Sequence, residues 1–191
     1  MSLFGRELTL RTVAFFWGIA GVLMLLFFAI YRLAPMALEL TERELTAGQW
    51  FALGFSVIYM AYAEGYRGFH RAFAPRVVVR ALYLKNHPEP LHVLFAPIFC
   101  MGYIHATRRR QLFSIGLTLV ILGFIFLARN LSQPWRGILD AGVVVGLGLG
   151  ILSICYFTIL AKRDPAALDM PAEIPGNNGA LNNGPDGMKA S

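Results

Sequence analysis

Charge is what this sequence has least of. Asp, Glu, Lys and Arg make up 15% of its 191 residues, well below the share that keeps an ordinary soluble domain in solution. Cysteine is nearly as scarce: two residues, Cys100 and Cys155, lie far apart in apolar surroundings and exclude both a disulfide scaffold and a zinc site of C-x-x-C type. Also missing are G-x-S-x-G, H-E-x-x-H and a Walker loop, so the enzyme classes that depend on them lose their usual support.

What fills the chain instead is apolar. Hydrophobic residues reach 57% and mean hydropathy is +0.57. They collect in long runs without charge, which excludes a disordered chain and a soluble globule. A hydrocarbon core of about 30 Å needs roughly 20 apolar residues of helix. Four runs meet that length, predicting spans at about 12–33, 47–66, 111–128 and 136–161. A fifth stretch, 90–106, is shorter, carries Pro97, and has His92 and His105 near its ends, as a re-entrant or interfacial segment would. The expected fold is therefore an all-α integral membrane protein, a four-helix transmembrane bundle with a short membrane-embedded segment that re-enters or forms a fifth span.

Basic residues decide between these layouts, because cytoplasmic loops collect Lys and Arg. If 90–106 crosses, the cations divide almost evenly between the two sides. If it enters and returns, thirteen of the 17 share one side with both termini. Four spans with both termini cytoplasmic, in a bacterial inner membrane, is the expectation. The polytopic domain takes 1–163, and the first run is too long for a cleaved signal peptide. Residues 164–191, rich in Pro, Gly and Asn, are expected to form a disordered cytoplasmic tail.

Local signals fit helices entering a bilayer. Thr41-Glu42-Arg43-Glu44 has capping-box spacing ahead of the second run. Pro134-Trp135 suits the first turn of the last helix, and Pro75 is placed to end the extension of the second. Between Arg76 and Asn86 neither helical nor strand periodicity is clean, although Arg76, Arg80 and Tyr83 would share one face of an interfacial helix.

The most informative polar cluster is Glu64-Gly65-Tyr66-Arg67-Gly68-Phe69-His70-Arg71. On an α-helix Arg67 and Arg71 share a face with Glu64, giving an ion pair that lets the helix leave the membrane. The sharper alternative is proton handling or catalysis, with Glu64 and His70, and His105 nearby, as candidates. Arg67, Arg71, Arg76, Arg80, Arg108, Arg109 and Arg110 gather on the expected cytoplasmic face. There they serve as a topogenic signal and as a binding surface for anionic phospholipids. Nucleic acid is a poor fit, since no stacking module accompanies the charge.

In the last run Asp140 follows Arg136 by four residues, in reach of an ion pair near the helix start. Gly142, Gly146 and Gly150 repeat every four residues, a pattern that admits a neighbouring helix closely, either within the chain or in a homo-oligomer or membrane partner. Neither cofactor nor metal is expected: His92 and His105, at thirteen residues' separation, fall about 140° apart on a helix. The functional expectation is an accessory, scaffolding or sensing role at the basic cytoplasmic face. The alternatives are an oligomeric channel or transporter for a small solute, and an enzyme acting on an anionic lipid headgroup.

Overall fold

In a computed structural model the described residues are 2–86, 96–101, 123, 126 and 130–164, and every regular element among them is helical. Helix α1 runs Ser2–Leu38, with Pro35 in its last turn, and closes in a 3-10 turn at Glu39–Glu42. Helix α2, Ala47–Met60, passes directly into a π-helix, Ala61–Phe73, and that into α3, Ala74–Asn86. A short α4 covers Ala96–Cys100, and the long α5 runs Trp135–Arg163. Two helices are long and apolar enough to cross a membrane: Arg11–Glu42 and Trp135–Arg163. Most of the run 111–128, most of 90–106 and the tail from 165 onward lie outside the described residues, as do Arg108, Arg109, Arg110 and His105.

Helix α5 packs against α1, α3 and the whole 47–73 stretch, while α4 packs against α1 and α3. The central cluster joins Phe15, Ile19 and Val22 of α1 to Ala74, Val77 and Ala81 of α3, Cys100 of α4 and Ile154 of α5. Small residues set these distances. A side chain on Gly21 would run into the ring of Pro97, and one on Gly18 would lie 2.8 Å from Cys100 Sγ. Helices surrounded by lipid gain little from burying apolar surface against each other, so close van der Waals fit has to hold them.

Three local features depart from the sequence expectations. The capping box that starts α2 closes at Thr46 and Gln49, where Gln49 Oε1 accepts the Thr46 N–H at 2.9 Å. Thr41 instead donates its hydroxyl to Leu38 O at 2.7 Å and finishes the 3-10 turn. Both threonines have the right spacing to a Glu or Gln; the one adjoining the apolar run takes the role. Pro75 does not end the helix: the π-helix passes into α3 just before it, and the chain stays helical to Asn86. And α3 is no surface helix: Val77, Val78, Ala81 and Leu84 are fully buried, with Arg80 on the same inner face.

Candidate functional site

The seam between the 47–73 stretch and α5 is built on the glycine stripe. A Cβ on Gly142 would lie 2.9 Å from Ser56 O and 3.0 Å from Met60; on Gly146, 2.9 Å from Glu64 Oε2; on Gly150, 2.7 Å from the Phe69 ring. The stripe therefore faces a helix of its own chain. From Glu64 to Phe69 is five residues of π-helix, which at a rise of about 1.15 Å per residue climb nearly as far as four α-helical residues. Five residues on one side thus match one glycine step on the other.

That wide turn also decides where the charges point. At about 4.4 residues per turn, each residue advances about 82° in place of 100°. Arg67 and Arg71, which an α-helix would stack over Glu64, are swung away from it. Both are exposed, and among the described residues no cation lies within ion-pair distance of the Glu64 carboxylate. Residues four apart still fall into a column, as they do in α2, where Phe55 stacks on Tyr59 at 5.9 Å. Tyr62 stacks on Tyr66 at 6.1 Å between ring centroids, and Tyr66 on His70 at 5.8 Å.

His70 ends the column. Its ring lies 5.2 Å from Phe157 and 5.9 Å from Tyr156, and its Nδ1 is 3.2 Å from Ser153 Oγ. Ser153 donates its single hydroxyl proton to Leu149 O at 2.8 Å. The imidazole must then be the donor to Ser153, which fixes the proton on Nδ1. Glu64 and His70 both meet α5 along one stripe, at Gly146 and Ser153, about 10 Å apart along the axis. Among the described residues no hydrogen bond joins the two side chains.

Three further polar residues, Ser56, Asp140 and Arg80, are more than nine-tenths buried. Ser56, beside Gly142, has a hydroxyl without a hydrogen-bond partner among the described residues. Sequence reading passed over it, because a serine inside an apolar run carries no visible signal until its neighbour is known. Asp140 sits on the opposite side of α5, toward α1. Arg136 Nε is 3.7 Å from its Oδ2, which accepts no hydrogen bond among the described residues. Arg80 is withdrawn from the basic surface: it is 5% exposed, donates from Nη1 to Phe99 O at 2.9 Å, and lies over the Phe99 ring at 5.3 Å. Arg76 is exposed at the start of α3.

Among the described residues no three His, Cys, Asp or Glu side chains gather in a way that would hold a metal ion. The fold and seam define a class, a helical protein with two helices fit to cross a membrane and a polar seam beside one of them. Comparison with known protein families, with curated proteins and with solved structures finds no match for this chain.

Proposed function

We propose that the chain is a four-span protein of a bacterial inner membrane, with both termini cytoplasmic and an accessory role, scaffolding or sensing, at a basic face that contacts anionic lipids. The observation that carries this reading is the exposure of Arg67 and Arg71, with no carboxylate within ion-pair distance among the described residues. Guanidinium groups with no such partner on an apolar helix call for an anion from outside it, and long arginine side chains snorkel toward phosphate oxygens. The test is a proton-gradient assay on proteoliposomes carrying the full chain. An accessory protein leaves the gradient as stable as in empty vesicles.

A second reading, an oligomeric channel or transporter for a small solute, is favoured by a different observation. As a span, α5 is about 43 Å long against a hydrocarbon core of about 30 Å. Gly146, and with it Glu64, then falls inside the core wherever the boundaries are drawn along that helix. Ionisable groups at that depth are candidates for a conducted ion or proton. Collapse of the gradient by the native chain, but not by Glu64→Gln, would replace the accessory reading with this one.

A further inference from the structure

Where α1, α3 and α5 meet at the C-terminal ends of the latter two, a cavity of about 240 Å³ opens between Thr12, Phe15, Phe16, Leu82, Lys85 and Lys162. One wall is aromatic and aliphatic, and two ammonium groups stand over it. Lys162 Nζ is held 5.0 Å above the Phe16 ring, a cation–π contact that fixes the charge at the mouth. Lys85 is exposed on the facing helix.

We propose that this cavity is a binding site for the phosphodiester headgroup of one anionic glycerophospholipid, a proposal that rests on the membrane reading above. Three features select that chemistry. The volume is below the range that encloses a whole small-molecule ligand, so it suits a headgroup whose chains stay in the bilayer. The apolar wall rewards the first methylenes of a lipid and offers nothing to free phosphate. The charge balance points the same way: Lys85 and Lys162 both stand in the last turns of their helices, whose C-terminal ends each carry about half a negative charge. With Arg163 beside Lys162 in the same last turn, the mouth stays net positive, as binding of a singly charged phosphodiester requires. Depth agrees as well. Trp135 and Lys162 are about 40 Å apart along α5, the thickness of a bilayer with its headgroup layers, so an indole at one surface sets these ammonium groups among the phosphates of the other.

The test is native mass spectrometry of the full chain in mild detergent, titrated with phosphatidylglycerol or phosphatidylcholine. The expected result is one phosphatidylglycerol retained per chain in preference to phosphatidylcholine. Two headgroup cations near an anionic phosphate correspond to about thirtyfold in affinity, which Lys85→Gln with Lys162→Gln removes while Arg32→Gln with Arg43→Gln, at exposed positions, leaves it in place. Both lysines are exposed, so the double variant folds, which a native circular dichroism spectrum checks. Retention unchanged in the lysine variant overturns the site, as does loss in the arginine variant alone. Displacement of the lipid by millimolar inorganic phosphate would show a site for the free anion instead. Alkaline carbonate extraction separates the two levels of failure: a chain stripped from membranes sinks the membrane reading, whereas one that stays embedded yet retains no lipid sinks only the cavity.

Discussion

Glu64 is pressed against the backbone of Gly146 with no cation beside it among the described residues, so nothing offsets the loss of water around a charged carboxylate. Glu64→Gln keeps the shape and removes the charge. Its expected effect on reversible unfolding in detergent is a gain of about 1–2 kcal/mol, against the loss that breaking a formed ion pair would cause. A clear loss would mean that the carboxylate has a partner after all. The neighbouring glycine is the complementary probe. Gly146→Val drives two methyl groups toward Glu64 and is expected to cost about 1–3 kcal/mol. Gly148→Ala meets nothing within 4 Å among the described residues and should stay within about 0.5 kcal/mol of the native chain. The glycine stripe was legible in the sequence because a four-residue repeat of the smallest side chain has a direct geometric meaning. Which residue it would meet was not, since that depends on the pitch of another helix.

At the scale of elements the π-helix is where sequence reading and structure part. Period arguments assume 100° per residue, and thirteen residues at about 82° turn Arg67 and Arg71 off the face that such arguments assign them. No residue type announces that change of pitch. Aromatic spacing does not announce it either, because Tyr62, Tyr66 and His70 stack four residues apart in the π-helix just as Phe55 and Tyr59 do at 5.9 Å in α2. Helix starts were legible in kind and misplaced in position, as Thr46 took the cap that Thr41 also matched. The start of α5 holds a device no motif suggests. Gln133 Oε1 accepts the Gly137 N–H at 3.2 Å while its Nε2 donates to Glu39 at 2.9 Å, so one side chain caps α5 and ties it to the end of α1. Gln133→Ala removes both bonds and is expected to lower stability by about 1–2 kcal/mol. Amide exchange should quicken in the first turn of α5, with the glycine seam unaffected; equal loss of protection along the whole helix would mean that the cap is not a local device.

At the scale of the molecule the all-helical character and the two strongest apolar helices were legible from hydropathy alone, because run length maps directly onto bilayer thickness. The number of crossings is a different kind of quantity. It depends on how cations are retained during insertion, and the residues that would settle it, 102–122 among them, fall outside the described part of the chain. The four-span layout nevertheless makes a sharp prediction. With 90–106 entering and returning on one side, Asn86 at the end of α3 and Asn130 before α5 lie on opposite faces of the membrane, whereas a crossing there puts them on the same face. Single cysteines at the two positions, in a chain whose Cys100 and Cys155 have been replaced, are probed in sealed cells with a membrane-impermeant maleimide. Position 130 should label from outside and position 86 only after lysis. Labelling of both from one side would convert the short segment into a fifth span and separate the termini. It would also divide the basic residues almost evenly between the two surfaces, removing the electrostatic reason for a single cytoplasmic face on which the arginines and the lysine-lined cavity could act together.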